Sequence, residues 1–196
     1  RLTPVALLDP VEVSGVTVSR ASLHNPEEIA RLGVDVGDTV EIERAGDVIP
    51  DVAEVVESGC DGHFEYPETC PVCDSPVERD GPLAFCTGGL ACPAQLERAV
   101  EYYASREALD VEGLGEKSVE QLVDTGLIEE LADLYELSVD DLTGLEGWGQ
   151  KSAQNLVDEI AATREPPLAD FLTALGVPEV GLTTARALAR EFGTFD

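Results

Sequence analysis

Four cysteines within a short stretch place the strongest constraint on how this chain can fold. They follow the pattern Cys70-x2-Cys73-x12-Cys86-x5-Cys92, and the stretch that holds them has few apolar side chains. So small a segment cannot bury a core of its own, and it needs a metal or a covalent cross-link to stay folded. Two close pairs of thiols separated by a hairpin-length segment are the ligand arrangement of a structural zinc site.

Two other interpretations of the quartet are less favoured. A pair of disulfides would also hold the segment together, but no feature of the sequence indicates secretion. A catalytic zinc is disfavoured because four thiolates leave no coordination position for water. Cys60 lies outside the spacing, and we expect it to be unbound. The sequence therefore predicts one structural zinc held by the quartet.

The chain is strongly acidic along its whole length. It has 40 Asp plus Glu against 12 Lys plus Arg, which gives a net charge of -28, and Lys117 and Lys151 are its only lysines. A hydrophobic content of 43% is typical of a globular protein, which excludes simple disorder. An evenly acidic, lysine-poor surface favours a protein of a salt-rich cytoplasm. The alternative is an acidic protein that binds basic partners.

Neither a membrane span nor a signal peptide is visible in the sequence. No apolar run approaches the ~20 residues that a membrane-spanning helix needs. We therefore expect no membrane association, and a cytoplasmic location near the nucleoid. The chain contains no methionine, so residue 1 is not a natural start and we expect the chain to be a fragment.

Residues 1–58 are predicted to form a small β-barrel. Asn25 is placed to cap a short helix that starts at Pro26, and Ala45-Gly46-Asp47 is expected to form a turn. Such a pattern suits a barrel of the OB type, although an SH3-like barrel would leave a similar one. Alternating apolar and polar residues predict the strands, around Val11–Val13, Val16–Val18, Thr39–Glu43 and Val52–Val56.

From Pro93 onward the apolar residues recur with helical spacing. We predict a multi-domain α+β chain with an OB-type barrel over 1–58, a four-cysteine zinc finger over 59–95, and an all-α domain over 96–196. The predicted apolar stripes are Leu96, Val100, Tyr103 and Ala104; Leu156, Val157, Ile160 and Ala161; and Leu168, Phe171, Leu172 and Leu175.

The all-α region contains an internal repeat. The segment 111–118 (VEGLGEKS) returns thirty-four residues later as 145–152 (LEGWGQKS), and a looser third copy follows at 180–185 (VGLTTA). Each full copy has an apolar residue between two glycines and then a helix, which is the helix-hairpin-helix motif. Repeats of this kind indicate a modular architecture.

Helix-hairpin-helix turns are suited to phosphate. The glycines let the chain turn tightly and leave backbone N–H groups uncovered at the positive end of a helix dipole. Such a contact positions a protein on a nucleic-acid backbone without reading sequence. The alternative is a plain helix connection with two solvated lysines. The candidate phosphate-contacting residues are Gly113, Gly115, Lys117, Gly147, Gly149, Lys151 and Gly181.

The order of barrel, finger and hairpin array resembles the C-terminal half of NAD-dependent DNA ligase. The similarity extends over essentially all 196 residues, and its most specific strings are Leu2–Ala6, Ser19–Asn25, Arg44–Pro50 and Cys86–Cys92. The resemblance implies that barrel, finger and hairpins encircle nicked double-stranded DNA, so that single-strand breaks are sealed in replication and repair. It also implies NAD and magnesium as cofactors of the full-length enzyme. A separate N-terminal domain would take AMP from NAD onto a lysine.

The chain lacks that lysine. The family nucleophile lies in Lys-x-Asp-Gly, whereas Lys117 is followed by Ser-Val-Glu and Lys151 by Ser-Ala-Gln. We therefore expect no catalytic residue in this chain, which would bind DNA as a monomer beside an N-terminal adenylation domain and a C-terminal BRCT domain of the same protein. Glu179 stands where the third hairpin would have its first glycine, so we expect its phosphate contact to be the weakest.

The resemblance also assigns a DNA-facing side to the barrel. It implies that Arg20, His24, Asn25 and Arg44 lie on or near the face that meets the DNA or its adenylated end. Asn25 already serves as the predicted helix cap, which leaves three candidates. Arg44 is the favoured residue of the three, because a guanidinium suits a phosphate. His24 has a competing structural role, since it can simply cap or pack.

Two other functions stay open. The chain could belong to a non-catalytic repair or recombination scaffold that uses finger and hairpins as generic DNA-binding parts. It could also be an acidic protein-interaction module, which would bind no DNA at any salt concentration.

Overall fold

A computed structural model describes residues 1–13, 15–43, 50–59 and 62–193. The chain divides into two compact units, Arg1–Gly88 and Gly89–Asp196. Arg44, the turn predicted at 45–47 and Cys60 lie outside the described residues. Within the described ranges, every helix is too short or too polar to cross a bilayer.

A four-stranded sheet dominates the first unit, in the order β1-β2-β4-β3. β1 and β2 pair antiparallel, as do β3 and β4, whereas β2 and β4 run parallel and meet at Ser22 and Asp51. Ala21, Leu23 and Val52 form its small buried centre. The strands are β1 (Val5–Val13), β2 (Val16–Ser22), β3 (Thr39–Glu43) and β4 (Asp51–Glu57).

The first strand is longer than the sequence pattern predicted. It begins at Val5 and not near Val11, and its register against β2 shifts between Leu7 and Val11. Pro10 lies within that shift. Since proline has no N–H for the ladder, an irregular register on an edge strand is where it fits.

The predicted helix after β2 is confirmed as α1 (Pro26–Leu32). Asn25 Oδ1 accepts a hydrogen bond of 2.9 Å from the Glu28 N–H, and Pro26 occupies the first turn. Gly33 ends the helix with a φ of 62°, in the left-handed region that favours glycine.

The end of the first unit carries a two-stranded hairpin of β5 (Val77–Asp80) and β6 (Leu83–Cys86). The N-terminus of the chain joins this hairpin, because the Leu2 N–H donates to the Ala84 oxygen at 2.8 Å. Ala84 is completely buried.

The second unit is helical and has an apolar core. Leu96, Val100, Tyr103 and Ala104 are all buried, which confirms the first predicted stripe. Among its described residues, Thr173 is the only buried residue of polar or charged type. The α-helices are α2 (Pro93–Ala104), α3 (Glu116–Asp124), α4 (Val139–Thr143), α5 (Gln150–Ala162), α6 (Leu168–Ala174) and α7 (Leu182–Phe192), with 3₁₀ helices at Gly89–Ala91 and Leu131–Glu136.

Two residues of the other predicted stripes are exposed. Ala161 follows the buried Ile160 and lies about 100° further around α5, outside the buried face. Leu175 is 40% exposed because it is the residue at which α6 ends. The sequence pattern was wrong at these two positions.

A chain of hydroxyls crosses the edge of this core. The Tyr103 and Tyr135 hydroxyls are 2.8 Å apart, and the Tyr135 hydroxyl lies 3.0 Å from Thr163 Oγ1. Burial, with the hydrogen bond to Tyr135, raises the pKa of Tyr103. The network joins α2, the second 3₁₀ helix and the end of α5.

Candidate zinc centre and nucleic-acid interface

The four predicted zinc ligands lie together. The Sγ atoms of Cys70, Cys73, Cys86 and Cys92 are all within 4.8 Å of one another, and none of these four residues is in a disulfide. Tetrahedral zinc with Zn–S bonds of about 2.3 Å needs sulfur atoms about 3.8 Å apart, and Cys73 and Cys86 are 3.4 Å apart. A donor set of four thiolates at this spacing fits a structural zinc and leaves no position for a reactive water.

Local backbone hydrogen bonds shape the first half of this cluster. The Cys70 N–H donates to the Ser75 oxygen at 2.8 Å, and the Asp74 N–H donates to the Cys70 oxygen at 2.9 Å. Asp74 takes a φ of 57° in the tight turn between them. Asp and Asn tolerate this conformation better than most residues do, so the short segment after Cys70 can fold back on itself.

Gly88 packs directly against the sulfur atoms. Its N–H donates to Cys86 Sγ at 3.3 Å. A Cβ at this position would lie 2.9 Å from Ser75 Oγ and 3.0 Å from Cys73 Sγ. Only glycine fits here without displacing a ligand, and the sequence pattern gave no sign of this requirement.

The hairpin turns repeat with the same backbone geometry. Gly113 and Gly147 have φ values of 89° and 87°, and Glu179 occupies the corresponding place in the third copy with a φ of 65°. Two residues later, each turn ends at a glycine in extended backbone that caps the next helix. These caps are Gly115 for α3, Gly149 for α5 and Gly181 for α7.

The third copy shares the helix start of the first two. The oxygen of each cap glycine accepts an N–H from the residue four positions on, at 2.9 to 3.0 Å. Those residues are Val119, Ala153 and Ala185, and each is 0% exposed. The hairpin geometry is therefore present three times, although the third copy keeps little of the sequence.

Several N–H groups at the first two turns remain available. Within the described part of the chain, those of Gly113, Gly115 and Lys117 donate to no protein acceptor. The second turn leaves those of Gly147 and Lys151 open in the same way, whereas the Gly149 N–H donates to Ser152 Oγ at 3.1 Å. Grouped donors at a helix N-terminus form an anion-binding arrangement.

An open cleft of about 830 Å³ lies between the first two hairpins. Both turn glycines, Gly113 and Gly147, line it, together with Trp148 and with first-turn residues of α3 and α5. Its walls carry more acid than base. Among the described residues, Lys117 is the one basic residue that lines it, against Glu112, Glu146, Asp158 and Glu159.

Both lysines are exposed. Neither Lys117 nor Lys151 forms an ion pair with any residue that the structure describes. Lys117 lines the cleft and Lys151 does not. The two side chains are free to reach an anion, but each contributes a single charge that salt screens.

A polar link across this cleft was missed from the sequence. Trp148 Nε1 donates to Gln121 Oε1 at 2.8 Å, and Gln121 Nε2 donates to the Glu146 oxygen at 3.0 Å. Gln121 takes the same place in the first repeat that Asn155 takes in the second, since the repeats are thirty-four residues apart. A polar residue at the same position of both copies was the only available signal.

The barrel candidates are exposed. Arg20 lies in β2 opposite Leu7 of β1 and has no ion-pair partner among the described residues. His24 follows the strand with a φ of 54°, and its Nε2 lies 3.3 Å from Asp51 Oδ1. Arg44 lies outside the described residues. The structure therefore places two of the three candidates on accessible surface of the first unit.

Three family profiles match successive parts of the chain. Residues 1–63 match the NAD-dependent DNA ligase OB-fold domain, and residues 69–94 match the NAD-dependent DNA ligase C4 zinc finger domain. Residues 105–162, which include the first two hairpins, match the SAM-like helix-hairpin-helix tandem.

Curated relatives are named DNA ligase. The chain is 74% identical to that of Haloarcula marismortui over 196 residues and 61% identical to that of Haloferax volcanii, and all of the chain is covered in both. The DNA ligase of Pseudomonas putida is 53% identical over 210 residues, which cover 98% of the chain. The chain spans 28%, 28% and 27% of the lengths of these relatives.

Proposed function

This chain carries the OB-fold and C4 zinc finger domains of NAD-dependent DNA ligases, and from that premise we propose that it is the DNA-binding portion of such an enzyme. In this role it clamps duplex DNA around a nick, while chemistry takes place on another part of a longer protein. The relatives are more than three times as long as the chain, which leaves ample length for a catalytic domain.

The observation that carries the proposal is the repeated hairpin turn with unused N–H donors. Gly113 and Gly147 set the same turn twice, and both turns border one cleft. A phosphate oxygen at either helix start would accept N–H groups that have no acceptor within the described part of the chain. Donors of this kind bind the sugar–phosphate backbone at any sequence, which is what sealing of nicks at arbitrary positions requires.

Charge defines the conditions under which this surface functions. The chain has a net charge of -28, and four carboxylates line the cleft around Lys117. In dilute buffer such a surface repels DNA. In molar salt the Debye length falls to about 3 Å, and hydrogen bonds from backbone N–H groups then act without long-range opposition. We propose a salt-rich cytoplasm as the working environment.

The longer protein supplies the remaining chemistry in this proposal. An N-terminal adenylation domain accepts AMP from NAD with magnesium present, and a BRCT domain follows the hairpin array. Zinc keeps the finger folded and takes no part in the reaction. Arg20, His24 and Arg44 lie toward the DNA or its adenylated end, where a guanidinium pairs with phosphate. Replacing Arg44 by alanine in the whole enzyme then lowers nick sealing.

Binding and sealing assays test the proposal separately. The full chain should bind a nicked duplex in molar salt, and lack of binding at every salt concentration would leave only the protein-interaction alternative. The longer protein, supplied with NAD, magnesium and nicked duplex, should form a covalent AMP adduct and then seal the nick. Binding without an adduct or sealing would favour the non-catalytic scaffold.

A further inference from the structure

Gln121 contacts the second hairpin on both sides of its turn glycine. Its side-chain oxygen accepts from Trp148 Nε1 at 2.8 Å, and its side-chain nitrogen donates to the Glu146 oxygen at 3.0 Å. Trp148 and Glu146 are the two neighbours of Gly147 in the chain. One amide of the first hairpin therefore bonds to the second hairpin on both sides of its turn.

The pair of bonds fixes the orientation of the amide. Indole N–H can only donate and a backbone carbonyl can only accept, so a flipped amide would place donor against donor. Trp148 is itself fixed in place, because its side chain packs against the apolar core of the second unit. The turn of the second hairpin thus has one defined position relative to α3.

The same helix also presents the first phosphate site. α3 begins at Glu116, directly after the cap Gly115, and Gln121 lies later in that helix. A rigid helix connects the two points, so the link through Gln121 sets the distance between the open N–H groups of the first turn and those of the second. Both groups border the same cleft.

We propose that Gln121 is a positioning residue that fixes the spacing of the two phosphate-binding turns, so that both engage the backbone of one duplex together. This inference rests on the proposed function. Two sites held at the correct spacing bind as one, because ordering the second costs little after the first is engaged. Without the link, the second turn must be ordered at the moment of binding.

The link has little part in the stability of the core. Val119 and Leu122 of α3 are fully buried, whereas Gln121 lies between them on the partly exposed side. Gln121→Leu keeps a side chain of similar size and removes both hydrogen bonds. Gln154→Leu is the matched control, since among the described residues the Gln154 side chain bonds to Asp158 alone, one turn further along α5.

Affinity for a nicked duplex, measured with the full chain in molar salt, tests the inference. We expect Gln121→Leu to weaken binding roughly five- to tenfold, as loss of pre-organisation does, and Gln154→Leu to leave binding unchanged. Trp148 is the only tryptophan of the chain, so its emission reports directly on the turn. The emission should shift in free Gln121→Leu and not in free Gln154→Leu.

A double-mutant cycle separates positioning from a local structural effect. Gly115→Val blocks approach to the first turn, at an ordinary φ of -93° and with no heavy atom within 4 Å of the new Cβ. In that background Gln121→Leu should cost no further affinity, because no second contact remains to be aligned. An equal loss in both backgrounds would overturn the inference.

Two further outcomes are informative. If Gln121→Leu does not fold, Trp148→Phe removes the same bond from the other side and should weaken binding in the same direction, and unchanged binding by a folded Trp148→Phe would refute the positioning role. Absence of DNA binding by the unmodified chain removes the proposed function together with this inference. Tight binding by the unmodified chain, unaffected by Gln121→Leu, removes the inference alone.

Discussion

Glu179 holds a φ of 65° at the position where Gly147 has a φ of 87° in the preceding hairpin. A side chain in the left-handed region is disfavoured by about 1–2 kcal/mol, and glutamate has no short side chain to offset this. The third hairpin therefore keeps the turn at an energetic cost. It also places an acidic residue at this turn.

Glu179→Gly should stabilise the protein and strengthen DNA binding. The relief of backbone strain exceeds the added flexibility of the unfolded chain, so we expect a net gain on the order of 0.5–1 kcal/mol. Denaturant unfolding measures the stability, and titration with duplex measures the affinity. Glu179→Gln is the matched control, because it removes the charge and keeps the strain. A glycine variant that is no more stable than the glutamine variant would contradict this account.

Turn geometry should matter more than lysine charge. Gly113→Val forces valine into a φ of 89° and misplaces several N–H donors at once, whereas Lys117→Ala removes one exposed, screened charge. We expect Gly113→Val to lose more DNA affinity in a binding titration, with a loss of stability of about 1–2 kcal/mol.

Gly115→Val separates loss of DNA contact from distortion of the turn, two effects that Gly113→Val combines. It introduces the same side chain at an ordinary φ and in open space. We expect affinity to fall while stability drops by only about 0.5–1 kcal/mol, because valine is a poorer N-cap than glycine. Equal affinity losses for Gly113→Val and Lys117→Ala would instead mean that side-chain charge dominates the contact.

Elemental analysis of the reduced protein should give one zinc per chain. Thiolates bind zinc only when deprotonated, so acid should release the metal, and residues 70–92 should then lose their structure. Binding of a chromogenic chelator follows the release, and circular dichroism follows the unfolding. Less than about half an equivalent of zinc would contradict a structural site of this kind.

Gly88→Ala should weaken zinc binding although residue 88 is not a ligand. The new methyl would lie 3.0 Å from Cys73 Sγ and 2.9 Å from Ser75 Oγ, so a ligand must move. We expect faster transfer of zinc to a competing chelator. Gly115→Ala serves as the control, because its Cβ meets nothing within 4 Å, and equal transfer rates for both variants would argue against the packing of Gly88 on the sulfurs.

Salt should promote both folding and DNA binding. Proteins that bind DNA through a basic surface lose affinity steeply as salt rises, because counterions are released. This chain has a net charge of -28, so dilute buffer leaves repulsion unscreened. A titration with nicked duplex, followed in parallel by circular dichroism, should show both properties improving toward molar salt. Tight binding at low salt that weakens steadily, with the fold intact, would refute this prediction.

Local features of the fold were readable from the sequence. Spacing alone predicted the cysteine cluster, because ligands of a small finger lie close in the chain. The cap of α1 followed from Asn25 and Pro26 for the same reason. The repeat predicted two equivalent turns, and the structure gives Gly113 and Gly147 nearly equal φ values.

Contacts between residues far apart in the sequence could not be predicted. The link from Gln121 to Trp148 spans twenty-seven positions and has no periodicity to reveal it. The packing of Gly88 against the sulfur atoms depends on how the finger folds, and the spacing of the cysteines along the chain does not reveal it. The length of β1 was underestimated because Pro10 interrupts the alternation of apolar and polar residues. Pairing with β2 nonetheless continues on both sides of Pro10.

The apolar interior of the second unit has an evolutionary consequence. Among its described residues, no acidic or basic side chain is buried, so none of its carboxylates is part of the packed interior. Substitutions that add or remove surface acid can then accumulate one at a time without repacking the interior. A lineage could move this scaffold between dilute and saline habitats by changing exposed positions alone, with the hairpin turns inherited intact.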